Sequence, residues 1–219
     1  MNQENREDQI ILIDKPTGIS SFGVVAKVRG KLKDEFGHKV KVGHTGTLDP
    51  FATGLLILLS GKNTKKSGEF LKLDKVYETT IKLGYTSTTG DPEGEIQPYS
   101  DITPDLDTIK STLQSFIGKI NQIPPKFSAI KINGQRAYKL ARKNQDFEIP
   151  TREVEIYSID ILNYQYPILK IRTHVSSGTY IRTLAEDIGK TLKTGAYCLE
   201  LRRIKIGDWD VGNAEKLVL

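Results

Sequence analysis

Apolar positions recur along this 219-residue chain with two periods, and the changes between them mark its elements. Ile10-Ile11-Leu12-Ile13 is a short apolar run stopped by Asp14-Lys15-Pro16-Thr17-Gly18, which predicts a strand and then a turn. Ser20 and Ser21 offer N-caps to a helix in which Phe22, Val25, Val28, Leu32 and Phe36 fall at helical spacing and form the expected core face. Lys27, Arg29, Lys31 and Lys33 lie off that face; a solvated surface is the simpler reading and RNA contact the alternative. An unbroken run, Leu55-Leu56-Ile57-Leu58-Leu59, reads as a buried element. Residues 62–73 read as a basic amphipathic helix, 75–83 as a β-branched and aromatic strand, 86–94 as a polar loop, and 106–117 as a second amphipathic helix opened by Thr103-Pro104.

Farther on, Pro124-Pro125 starts a rigid segment that becomes a strand, Asn133-Gly134 makes a turn, and 138–143 reads as a short basic helix. Residues 152–166 and 168–174 alternate as two strands around Pro167. Ser176-Ser177-Gly178-Thr179-Tyr180 then leads into a helix with Ile181, Leu184, Ile188 and Leu192 on one face. Arg182 lies off that face and is expected to point away from the core. Residues 199–206 form a last strand, followed by a short tail helix. Strands and helices mix without strict alternation, so the fold class is α+β with a mixed sheet.

One stretch fits neither period. Gly43-His44-Thr45-Gly46-Thr47-Leu48-Asp49-Pro50-Phe51-Ala52-Thr53-Gly54 crowds glycine, threonine and proline into twelve residues. Glycine permits close backbone approaches, and Pro50 pushes Asp49 out of the helical region. A tight loop presenting His44 and Asp49 follows, anchored by the apolar run behind it; such loops commonly carry function.

Composition narrows the chemistry. With 37% hydrophobic residues and 19 glycines the chain is of globular type, and only the polar residues 1–9 look like a tail. No apolar run reaches membrane-spanning length and no secretory signal opens the chain, so the cytoplasm is the expected compartment and no membrane is expected. A single cysteine, Cys198, excludes an intramolecular disulfide, and the three histidines have no ligand spacing, so no metal is expected. No phosphate-binding glycine pattern argues for a nucleotide cofactor; none is expected. The net charge of +5, from 32 Lys+Arg against 27 Asp+Glu, suits a polyanionic partner without demanding one. Lys126, Lys131, Arg136, Lys139, Arg142 and Lys143 surround Phe127 and Tyr138, the mixture that phosphate contact and base stacking use. What remains as a reactive group is Asp49, nucleophile or base; the competing reading of an Asp-Pro pair is a turn former.

Wider motifs bear on that choice. Residues 43–56 closely resemble the catalytic motif of the TruB family of tRNA pseudouridine synthases. The resemblance continues in the family's order: Asp14-Lys15-Pro16-x-Gly18-x-Ser20-Ser21, Lys75-x-Tyr77-Glu78, the loop holding Asp91, Pro124-Pro125-x-x-Ser128-Ala129-x-Lys131, Gly178-Thr179-Tyr180-Ile181-Arg182-Thr183-Leu184, and Leu201-Arg202-Arg203. It spans about residues 10–210. Three positions depart from the family: Thr88 replaces a frequent acidic residue, and Val175 and Ser177 replace Cys and Lys.

The resemblance implies a pseudouridine-synthase-type catalytic domain over 10–219, its central mixed or antiparallel sheet flanked by helices, without the C-terminal PUA-like RNA-binding domain that many bacterial members carry. It implies conversion of uridine 55 in the tRNA T-arm to pseudouridine on a flipped-out base, by a monomer without cofactor. Asp49 would be the nucleophile, Arg182 its cationic partner, and Tyr77 the ring that stacks on uracil and takes the C5 proton. His44 would fill the space the base vacates, Tyr180 and the backbone of Leu201 would line the pocket, and Lys15 and Asp91 would support it. Taken singly, Tyr77 also reads as a core tyrosine, His44 as a turn cap, and Arg182 with Glu186 as a surface ion pair. Activity on another RNA, in a guide-RNA complex or otherwise, and a non-catalytic RNA-binding or RNA-folding role are the alternatives.

Overall fold

The computed structural model describes residues 6–217 apart from 129, 133 and 142–146. In chain order the elements begin with β1 (Ile10–Lys15), α1 (Ser21–Phe36), β2 (Val42–His44), β3 (Thr53–Ser60), α2 (Ser67–Lys72), β4 (Lys75–Leu83), β5 (Tyr85–Ser87) and β6 (Ile96–Pro98). There follow α3 (Leu106–Gln114), β7 (Gly118–Gln122), β8 (Lys131–Ile132), β9 (Gln135–Arg136), α4 (Ala137–Ala141), β10 (Arg152–Gln165) and β11 (Ile168–Val175). Last come α5 (Ile181–Thr191), β12 (Ala196–Ile206), β13 (Trp209–Asp210) and β14 (Glu215–Lys216). Two compact units result: Met1–Tyr77 with Arg202–Leu219, and Glu78–Leu201. Among the described residues no helix is long and apolar enough to cross a membrane.

The first unit is built on β3. β1 pairs with it antiparallel from Ile10↔Leu59 to Lys15↔Gly54, and β2 antiparallel at Val42↔Ser60 to His44↔Leu58. Two parallel pairings make the sheet mixed: β12 on β3 at Arg202↔Thr53, and β14 on β1. Leu56 and Leu58 join Ile13 and the α1 residues Val24, Val25, Val28 and Leu32 in one core, while Leu55, Ile57 and Leu59 face Phe70 and Ile206 in another. A strand covered on both faces has no polar side to alternate with, hence the continuous apolar run.

Other sequence expectations need adjustment in this unit. Ser20 caps α1, its Oγ accepting from the Gly23 N–H at 3.0 Å, but Phe22 is 65% exposed and Val24 takes the expected core position. The helix expected over 62–73 is a 3-10 segment, Gly61–Lys66, continued by the short α2. The expected tail helix is a single 3-10 turn, Val211–Asn213, before β14. Residues 7–9 are tied down: the Lys62 and Asn63 nitrogens donate to Asp8, and Gln9 exchanges bonds with Ser60.

In the second unit β10 pairs antiparallel with β11 and with β7, and β4 lies between β11 and β12. β10 and β11 join across the cis Tyr166–Pro167 bond. Leu184 and Ile188 of α5 and Ile109 and Leu113 of α3 are buried, as their spacing predicts, but α3 ends at Gln114, short of the expected 117, and Leu106 and Ile117 are exposed. Asp105 caps α3, accepting from the Thr108 N–H at 2.7 Å. The loop holding Asp91 is bounded by the β5/β6 hairpin. Arg142 and Lys143 of the basic window lie outside the described residues, and α4 begins at Ala137.

Candidate active site

The loop at 43–54 is held by bonds from its own unit at almost every turn. The Thr45 N–H donates to the Ile57 carbonyl at 3.0 Å, fastening the start of the loop to β3. In the middle, the Leu48 N–H donates to Ser21 Oγ at 2.8 Å, and that hydroxyl donates to the Leu48 carbonyl at 2.9 Å. The Ala52 N–H closes a turn on the Asp49 carbonyl at 3.1 Å, which sets the backbone around the carboxylate. Lys15 is fully buried, its Nζ donating to the carbonyls of Pro16 (2.9 Å), Ile19 (2.8 Å) and Pro50 (3.2 Å). Through these three carbonyls the ammonium acts as a brace that ties β1, the following turn and the loop at 43–54 together.

Successive residues of a strand face opposite sides, and Arg202 and Arg203 use this. Arg202 grips Asp14 through parallel bonds of 2.9 and 2.8 Å. Arg203 is 2% exposed and donates to the Leu55 carbonyl at 2.8 Å and the Gly46 carbonyl at 3.2 Å, bracing the loop opposite Lys15. Gly54 has φ +100°, and a Cβ there would fall 2.2 Å from the Arg203 carbonyl oxygen, so β12 packs against bare backbone. The Gly46 N–H donates to His44 Nδ1 at 3.4 Å, which ties the ring to the loop's own backbone. His44 and Asp49 are both half-buried on this frame. Tyr77, 8% exposed, closes the unit's first segment; two residues before it, Lys75 Nζ donates to the Leu71 carbonyl at 2.9 Å and to that of Leu73. Desolvation, with Arg203 repelling the charge, pulls Lys75 down to about 8.

The second unit holds the other candidates. Arg182 is 4% exposed, contrary to its expected outward orientation and to a surface pair with Glu186. Its Nη1 donates to Asp91 Oδ2 and to the Thr89 carbonyl, both at 2.9 Å, and its Nη2 to the Phe127 carbonyl at 2.9 Å. Asp91 is buried too and accepts from the Glu93 N–H at 3.0 Å. A buried ion pair satisfied this fully holds a guanidinium in one place; removing one partner strands a charge at a cost of about 3–5 kcal/mol. Tyr180 precedes α5 and is fixed by Gln122, which accepts from its N–H at 3.0 Å and donates to its carbonyl at 3.2 Å. Leu201, at the unit's end, is 8% exposed.

Lys15, His44, Asp49 and Tyr77 therefore belong to one unit, and Asp91, Tyr180, Arg182 and Leu201 to the other. Sequence reasoning missed Arg203 and Gln122. The adjacency of two arginines in a strand signals that one must face inward; nothing in the sequence marks Gln122. Among the described residues no cluster of three or more His, Cys, Asp or Glu has the arrangement to hold a metal.

A family model described as TruB family pseudouridylate synthase (N terminal domain) matches residues 33–181. The chain is 45% identical over 207 residues to tRNA pseudouridine synthase B of Phocaeicola vulgatus, covering 93% of this chain and 87% of that one. It is 43% identical over 210 residues to the protein of that name from Dechloromonas aromatica, covering 96% and 69%. Of solved structures, it superposes on a chain of a Cbf5-Nop10-Gar1 complex with a TM-score of 0.72 at 27% identity, covering 99% of this chain and 55% of that one. A chain of an H/ACA RNP bound to a substrate RNA containing 2'-deoxyuridine gives a TM-score of 0.68 at 26% identity, with 94% and 50% covered. The chain thus spans about half the length of these solved relatives.

Proposed function

The chain belongs to the TruB family of pseudouridylate synthases, and we propose that it converts uridine 55 in the T-loop of tRNA to pseudouridine, with Asp49 as the nucleophile. The tRNA substrate is supported by relatives named tRNA pseudouridine synthase B over almost the whole chain. The T-loop position and the residue roles rest on the motifs carried over position by position. The observation that carries the role of Asp49 is the frame around it: a buried lysine, a buried arginine and Ser21 hold the backbone of one short loop on which the carboxylate stands.

The chemistry is an isomerisation. The C1′–N1 glycosidic bond breaks, C1′ joins C5 of the rotated uracil, the C5 proton leaves and N1 gains one; electrons balance without an oxidant. Asp49 forms the covalent intermediate that lets the base turn. Tyr77 stacks on the uracil and takes the C5 proton, and His44 fills the space left when the base is extruded, a step costing a few kcal/mol. Arg182 supplies a cation whose direction Asp91 fixes. Tyr180 and the backbone of Leu201 line the base pocket.

Tritium release from C5-labelled uridine in tRNA tests this directly. Asp49→Asn loses release while still retaining tRNA on a filter, and tRNA with cytidine at position 55 gives no release with the unaltered protein. Normal release by Asp49→Asn would remove Asp49 from the reaction; release from other RNAs alone would change the substrate.

A further inference from the structure

At 65% exposure, Phe22 is the most exposed large apolar side chain among the described residues, although its spacing predicts the core face of α1. A position where the local rule fails without a packing reason is a candidate for function. Phe22, Ala26, Arg29 and Lys33 stand at i, i+4, i+7 and i+11, one stripe along the helix. The Arg29 guanidinium lies 5.9 Å from the ring centroid of Phe22. Ala26, between them, is exposed and small, and beneath the Arg29 guanidinium the ring still keeps most of its surface open.

This stripe is tied to the start and to the middle of the reactive loop. Arg29 Nη2 donates to the Val42 carbonyl at 3.1 Å, directly before Gly43-His44. Ser21, the neighbour of Phe22, exchanges both its bonds with Leu48, directly before Asp49. The ring is therefore held in fixed register with the loop. A partner protein would need a contiguous apolar patch, and here one ring is followed by a methyl group and two cations. A flat aromatic face with a guanidinium beside it fits an unstacked base and its phosphate.

We propose that the Phe22–Arg29 stripe of α1 is a stacking platform for an unpaired base of the substrate RNA close to the target uridine. The proposal rests on the reading that this chain modifies RNA. Phe22 supplies the stacking surface, and Arg29 and Lys33 meet the adjoining phosphates.

Equilibrium binding of tRNA to the full chain, read by filter retention across a salt series, tests it. Phe22→Ala and Phe22→Leu weaken binding by roughly tenfold or more, since stacking on one aromatic contributes that much. Phe22→Tyr keeps the affinity because the ring is kept. Stacking is not ionic, so the slope of affinity against salt is the same in Phe22→Leu as in the unaltered protein. An exposed side chain leaves the melting temperature nearly unchanged, which separates lost stacking from lost fold. Unaltered affinity in Phe22→Ala, affinity retained by Phe22→Leu, or a changed salt slope would each overturn the platform. Failure of the unaltered protein to release tritium from any tRNA would overturn the proposed function instead, and the binding series would still report on Phe22.

Discussion

Glu186 stands one helical turn beyond Arg182, and its carboxylate lies against Gly90, where a Cβ would fall 2.7 Å from Oε1. Much of the residue is exposed, yet desolvation of the carboxyl raises its pKa from 4.5 to about 7, with Arg182 pulling it down and Asp187 and Asp91 adding to the rise. Between those values the folded protein holds a proton that the unfolded chain has released. Stability attributable to this group is therefore highest at low pH and falls as pH rises toward 7, by less than the full shift because solvent screens a partly exposed group. Urea midpoints measured from pH 5 to pH 8 should show that decline, and Glu186→Gln should flatten it; an equal decline in both proteins would place its source elsewhere. Arg182 illustrates what residue patterns can hide. Its place off the apolar face of α5 reads as outward, but the buried carboxylate that receives it comes from Asp91, far off in sequence. Gln122 and Arg203 were invisible as loop and helix braces because their partners are backbone carbonyls or amides, which every residue offers.

At the scale of elements, Gly54 is where the β12 backbone leaves no room for a Cβ on β3, and it is the last residue of the motif loop. Gly54→Ala combines a left-handed backbone angle with a clash on the Arg203 backbone, so it should cost roughly 2–4 kcal/mol, read as a lowered urea midpoint. Gly43→Ala, with nothing within 4 Å of its Cβ, is the control and should cost far less. Most strands and the helices α1, α3 and α5 follow from periodicity; α5 buries the whole face its spacing marks, whereas α3 buries Ile109 and Leu113 but leaves Leu106 exposed. The apolar run at 55–59 was readable as buried, but its strand form rests on pairing with β1 and β2, which lie elsewhere in the sequence. The helix expected over 62–73 divides instead into a 3-10 segment, Gly61–Lys66, and α2 from Ser67. α1 departs at one turn only: Val24 enters the core and Phe22 leaves it.

For the whole molecule, a net charge of +5 sets a modest field for a polyanion. tRNA affinity should fall linearly on logarithmic axes as salt rises, with a slope that counts the phosphates met. If local RNA shape directs the reaction, a bare T-arm stem-loop should release tritium as full tRNA does; release from full tRNA alone would show that contacts beyond the T-arm are required. The sequence by itself determined the α+β class, most elements, and the motif set that places the chain in its family, because periodicity, turn residues and ordered motifs are local properties of the chain. Tertiary structure alone decided that Arg182 is buried on Asp91, that Lys15 and Arg203 brace the loop at 43–54, and that Phe22 faces solvent. Each of these depends on which distant carbonyl, carboxylate or core side chain occupies the space beside it, and that is settled only when each unit has packed its own core.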